Sequence, residues 1–159
     1  MSRYDRIIEE FNKLKNSKCI SIVKCEFMNG DINNWRVAFE GSPCSPYEDG
    51  IFQVKVNLPD NFPNGRPYLY FITKMFHPNI RQSDGLVSLN LMYEWVPTRT
   101  IEEVLFGFIE VMDNPRVGSG HGEEPQKLLA QDRDKFFEKV QEYRKYYKYK
   151  TNHKILWYI

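Results

Sequence analysis

Cysteine is scarce in this chain, and its pattern excludes more than it suggests. Cys19, Cys25 and Cys44 form an odd set of three without paired spacing. No signal-peptide pattern opens the sequence, so a disulfide framework is not expected. The three read as small apolar residues, buried or partly exposed, in a reducing compartment. Cytosol or nucleus is the expected location. Histidine is just as sparse: His77, His121 and His153. There is no Cys-x-x-Cys and no His/Asp cluster with ligand spacing, so neither a metal nor an organic cofactor is expected. No apolar run approaches the ~20 residues of a membrane helix. The apolar tail Ile155-Leu156-Trp157-Tyr158-Ile159 is too short to span, and no membrane partner is expected. A formal net charge of +1 gives no global pull toward nucleic acid. No internal repeat and no second domain are visible.

What is present suits one globular domain. The 159 residues are 42% hydrophobic and 15% aromatic, too apolar for a disordered chain. Residues 2–16 predict an amphipathic helix, with Ser2 as N-cap and Tyr4, Ile7, Ile8, Phe11 and Leu14 on one face. Four strands are expected next. Ile20 to Met28 is β-branched and ends at Asn29-Gly30, a hairpin pair. Trp35, Val37 and Phe39 alternate with polar residues, as do Phe52, Val54 and Val56, and Tyr68 to Ile72 is the fourth. Short linkers favour an antiparallel meander. Pro59, Pro63 and Pro67 predict a rigid turn before the last strand.

Phe76 to Thr98 reads as a long irregular region, a length that usually carries function. Thr100-Ile101-Glu102-Glu103 is a capping box. It opens a central helix with a stripe of Ile101, Val104, Leu105, Phe108, Ile109 and Met112, ended by Asn114-Pro115. Gly118, Gly120 and Gly122 predict a mobile loop without the spacing of a phosphate loop. Pro125 to about Tyr147 predicts one or two further helices, with Leu128, Leu129, Phe136, Phe137, Val140 and Tyr143 inward. The expected class is therefore α+β.

The segment Phe76-His77-Pro78-Asn79-Ile80, followed by Gly85-Leu86-Val87-Ser88-Leu89-Asn90 and Trp95-Val96-Pro97, resembles the active stretch of the ubiquitin-conjugating enzyme family. Trp35, Phe39, Gly41, Pro43, Pro46-Tyr47, Gly50, Phe52, Pro59, Phe62-Pro63, Pro67, Phe71, Thr73-Lys74, Asp132-Arg133 and Phe136 carry the resemblance across nearly the whole chain. It implies that family's α+β fold: an N-terminal helix, a four-stranded antiparallel meander, an irregular active-site loop, and central and C-terminal helices. A core domain over residues 1–148 would then precede a short extension, 149–159. The implied chemistry is acyl transfer. An activating enzyme passes ubiquitin or a ubiquitin-like modifier to a cysteine, and a substrate lysine or a ligase cysteine then takes it. Asn79 matches the residue that supports the oxyanion, and His77 one that shapes the loop. Glu124, beside Glu123, matches an acidic gate for the incoming lysine, although acids at a helix N-terminus are also favoured by its dipole.

The departures matter as much. Ser88 stands where the family carries its cysteine, and a hydroxyl is a far weaker nucleophile unless a base adjoins it. Ser88 lies outside any Gly-x-Ser-x-Gly elbow. Arg6 matches one activating-enzyme contact of the first helix, but Asp5 and Glu9 fall where bases are common. The ligase-facing positions carry Asn64 and Pro97, within Val96-Pro97-Thr98, in place of an aromatic residue and a Ser-Pro-Ala loop. Three readings follow: a catalytically impaired member that still binds pathway proteins; a conjugating enzyme with an engineered Cys-to-Ser change; or an adaptor whose apolar tail docks to an unrelated partner.

Overall fold

Ser2 closes a capping box with Asp5 and starts the first helix, α1 (Arg3–Lys15). In the computed structural model, which describes residues 1–88, 94–117 and 123–147, the strands follow as β1 (Ile22–Met28), β2 (Asp31–Glu40), β3 (Ile51–Asn57) and β4 (Tyr68–Phe71). Then come α2 (Ile101–Asp113), α3 (Glu123–Gln131), α4 (Arg133–Glu142) and a 3-10 turn at Tyr143–Tyr146. Leu89-Asn90 of the motif, the Gly118, Gly120 and Gly122 loop, His121, His153 and the whole extension 149–159 lie outside the described residues. The sheet is antiparallel with strand order β1-β2-β3-β4. The α+β layout matches the expected order of elements.

Local sequence accounts for the turns. Asn29 and Gly30 both take positive φ, 54° and 73°, as a two-residue hairpin whose twist suits the flanking strands requires. Trp35, Val37 and Phe39 face Val56, Val54 and Phe52 in register, and all six are buried. On the opposite face alternation breaks down, because Arg36, Ala38 and Gln53 are covered too. Ala38 lies between Lys24 of β1 and Gln53 of β3, whose longer side chains flank the small residue. Strand β1 begins at Ile22 rather than Ile20 because Ser17 Oγ accepts from the N–H groups of Cys19 and Ile20 and turns the chain there.

One expectation for α1 fails. Tyr4, assigned to the apolar face, is 59% exposed. The buried face is Ile7, Phe11 and Leu14 together with Glu10. Helix α2 behaves as its stripe predicts: Ile101, Val104, Leu105, Phe108, Ile109 and Met112 are all buried, and the Phe108 ring lies 4.9 Å from Phe71 of the sheet. Thr100 and Glu103 form the capping box, and Asn114 caps the other end. Leu129, Phe136 and Val140 are buried while Leu128, Phe137 and Tyr143 are partly so. Phe136 and Tyr143 each place a ring 5.6 Å from Phe76, so α4 and the 3-10 turn brace the start of the irregular region.

Candidate active site

The irregular region after β4 folds back on the sheet edge. Phe71 N–H donates to Gly85 O, and Val87 N–H donates to Leu69 O. Gly85 has φ 79°, and a side chain there would run into the Phe71 backbone, so only glycine suits this approach. Ile80 pairs with Val87, and Arg81 N–H donates to Leu86 O. At the tip Arg81 Nε donates to Asp84 Oδ1 at 2.8 Å. That guanidinium, helped by the Leu86 N–H, holds the Asp84 carboxyl near 2. The product is a short irregular hairpin over 79–88.

His77 is the anchor of this hairpin. It is fully buried. Its Nδ1 accepts from Asn79 N–H at 3.0 Å, so the proton resides on Nε2, which lies 3.2 Å from Val111 O of α2. Burial lowers its pKa to about 4, leaving a neutral ring with both nitrogens engaged. Such an imidazole fixes backbone and cannot take a proton from a neighbour. Asn79, 1% exposed, passes the constraint on: its backbone O accepts from Ser88 N–H at 2.9 Å. His77, Asn79 and Ser88 are thus joined by successive hydrogen bonds, and Ser88 is half-buried at the hairpin's end. Among the described residues no imidazole or carboxylate hydrogen-bonds the Ser88 hydroxyl.

The other expected positions divide. Asn64 and Pro97 are both exposed, on two loops joined by Trp95, whose Nε1 donates to Pro63 O at 2.8 Å and whose ring lies 5.9 Å from Phe62. Arg6 is engaged within the chain. Its Nε pairs with Glu10 at 3.0 Å, its Nη2 donates to Arg99 O at 2.9 Å, and its side chain is 18% exposed. Asp5 and Glu9 are exposed on α1, and the Ser2 hydroxyl holds the Asp5 carboxyl below its ordinary value. Glu124 is exposed in the first turn of α3, and no described contact joins it to Ser88 or Asn79. Of the cysteines, Cys19 and Cys44 are exposed and Cys25 is buried, its thiol pushed up to about 12 by burial. Among the described residues no group of three or more His, Cys, Asp or Glu side chains is placed to hold a metal ion, and no helix is long and apolar enough to cross a membrane.

Sequence reasoning missed Glu10. It is 4% exposed, and its Oε2 accepts from Ile101 N–H at the start of α2 at 2.8 Å. An acid on the apolar face of α1 was the available signal.

Comparison with known proteins agrees with this fold. The family model for ubiquitin-conjugating enzyme matches residues 6–144. The chain belongs to the ubiquitin-conjugating enzyme family. It is 30% identical over 115 residues to "Ubiquitin-conjugating enzyme E2 pex4" of Dictyostelium discoideum, covering 72% of this chain and 77% of that one. With "Ubiquitin-conjugating enzyme E2 6" of Arabidopsis thaliana it shares 31% identity over 126 residues, 78% of this chain and 69% of the relative. Among solved structures, the E2 domain of a Toxoplasma gondii ubiquitin conjugating enzyme superposes with a TM-score of 0.83 at 24% identity, covering 92% of this chain and 99% of that one. H. polymorpha Pex4p, solved in complex with the soluble domain of Pex22p, gives 0.82 at 21% identity, over 94% and 100% of the two chains. At those identities the structures speak for the fold alone.

Proposed function

We propose that this chain is a ubiquitin-conjugating-family protein in which Ser88 occupies the place of the nucleophilic cysteine, so that it binds components of a modifier pathway but is impaired in thioester transfer. The observation that supports this is the hydrogen-bonded run from His77 through Asn79 to Ser88, which ends in a hydroxyl rather than a thiol. A cysteine with pKa near ~8.5 offers some thiolate at neutral pH, whereas a serine needs a base. His77 is occupied on both nitrogens and cannot act as one. In this reading Asn79 keeps its position for oxyanion support, worth ~3 kcal/mol where a tetrahedral centre forms, while His77 serves the loop's structure. Glu124 is the candidate acidic gate.

The partners are ubiquitin or a ubiquitin-like modifier, together with an activating enzyme and a ligase, in cytosol or nucleus. Asn64 and Pro97, held on one pair of loops by Trp95, form the ligase-facing patch. Asp5 and Glu9 oppose the acidic surface that a basic first helix meets, and Arg6 is spent internally on Glu10 and Arg99, which together weaken docking to a standard activating enzyme. The retained hairpin around Asn79 also suits a second reading, an engineered Cys-to-Ser change in an active enzyme, which the natural codon at position 88 decides. A third, a non-catalytic adaptor, assigns binding to the extension at 149–159 and is read by pull-down with and without residues 153–159. The test of the main reading is to incubate the unmodified chain with activating enzyme, ATP and ubiquitin. At most a slow, reductant-resistant oxyester is expected on Ser88. Rapid charging of the unmodified chain contradicts the impairment.

A further inference from the structure

Away from the Ser88 hairpin, a groove of about 580 Å³ runs between the turn after α1, the end of β2 and α2. Ile20, Pro43, Phe106 and Ile109 give it an apolar floor. Phe106 is 40% exposed, although it stands on the helix that fills the core. Lys18 is the basic residue of the lining, against Glu40, Glu110 and Asp113. Asp113 is half-buried, and burial holds its carboxyl above the usual range in spite of hydrogen bonds from Ser42 and Ser45.

The described chain stops beside this groove. Tyr147 O accepts from Ile51 N–H at 2.8 Å, and Gly50 O accepts from Gly41 N–H at 2.9 Å. Gly41 is part of the groove's lining. The Tyr147 ring packs 4.6 Å from Phe52. Residues 148–159 that follow carry Lys148, Lys150, His153 and Lys154, then Ile155-Leu156-Trp157-Tyr158-Ile159, with no acidic side chain. Extended chain covers ~3.3 Å per residue, so Lys154 can reach ~20 Å from Tyr147. The groove wall is only two strand spacings away, roughly 10 Å.

We propose that residues 148–159 dock into this groove of their own chain, lysines against Glu40, Glu110 and Asp113 and the Ile-Leu-Trp-Tyr-Ile run over Phe106 and Ile109. The acidic rim and the basic segment are complementary, and the apolar floor matches the apolar run. A segment so tethered meets the groove at high effective concentration. Docking would cover Phe106 and place a cation beside the half-buried Asp113 carboxylate.

Cys19 lines the groove and its thiol is exposed, which supplies the test. The probe is the full chain with Cys44→Ser and Leu156→Cys, oxidised mildly at several protein concentrations, with disulfides mapped by peptide mass. The expected result is an intramolecular disulfide from Cys19 to the introduced thiol, at a rate independent of protein concentration. Adding Glu110→Lys and Phe106→Asp should slow it at least tenfold. Glu110→Lys alone, at an exposed position, should slow it severalfold with unchanged melting temperature, and the difference should shrink in high salt. Disulfide-linked dimers, no disulfide, or a rate indifferent to the groove substitutions would each overturn the proposal. Dimers would assign the groove to a second copy.

Discussion

Lowering the pH should loosen the loop that carries Ser88 through a single side chain. His77 is buried neutral, with burial holding its pKa near 4 against 6.5 when exposed. The folded state therefore takes up the proton less readily than the unfolded chain. The stability that neutral His77 contributes is complete above about 6.5 and is lost progressively as the pH falls toward about 4. At 1.36 kcal/mol per pH unit the full effect is roughly 3 kcal/mol, of which about 2 kcal/mol is lost between pH 7 and pH 5. The assay is urea unfolding of the unmodified chain and of His77→Asn at pH 7.5, 6.5, 5.5 and 4.5, followed by tryptophan fluorescence. His121 and His153 are common to both proteins, as are Asp5, Asp31 and Asp84, whose depressed carboxyls lose stability only at lower pH. The difference between the two curves thus isolates His77. His77→Asn should be less stable at pH 7.5 and should lose less on acidification. Parallel pH profiles would refute the account of His77 as a buried neutral brace.

Three further outcomes are expected. Phe108→Ala, a buried ring against Phe71, should cost ~3–5 kcal/mol and lower the melting temperature by about 10 °C or more; a wild-type melting curve would overturn the packing of α2 on the sheet. Glu10→Ala removes the acceptor of Ile101 N–H and the partner of Arg6, a loss of ~3–5 kcal/mol for a buried ion pair broken on one side. Glu10→Gln, which can still accept from Ile101, should lose clearly less in the same chemical denaturation. With iodoacetamide at pH 8, Cys19 and Cys44 should alkylate readily, while Cys25, buried and pushed to about 12, should label only on the timescale of unfolding. Peptide mapping reads this directly, and none of the three should carry a reductant-sensitive modifier conjugate.

What could be read from sequence was what depends on local chemistry. The α2 stripe recurs at helical spacing, and Thr100 and Glu103 reach each other within one turn, so helix, start and buried face were all legible. Asn29-Gly30 specified its hairpin because both positions need positive φ. Tyr4 was misassigned because periodicity identifies a face without saying where along it burial begins: Tyr4 is 59% exposed, one turn before Ile7, the first buried residue. The internal roles of Glu10 and Arg6 escaped for a different reason: an acid on the apolar face of α1 signals that a partner exists, but the partners, Ile101 and Arg99, lie 91 and 93 positions away. The site shows the same division. His77, Asn79 and Ser88 stood out as a motif, yet the neutral state of His77 comes from its burial, and the ring is oriented by Val111 O, 34 positions downstream. The pairing of Asn79 with Ser88 depends on a hairpin whose fold-back is set by Gly85 against Phe71.

The proposed function turns on whether this loop, given a sulfur at position 88, carries a modifier. Charging of Ser88→Cys by activating enzyme, ATP and ubiquitin or a ubiquitin-like modifier, read by intact mass and mapped after digestion, tests it most directly. The account predicts one modifier added through a reductant-sensitive bond at position 88, at a rate below that of a typical family member. Adding Asp5→Lys and Glu9→Lys should raise that rate, with the gain shrinking as salt is added. No conjugate at position 88 of Ser88→Cys with any of several activating enzymes, while the protein remains folded, would contradict it.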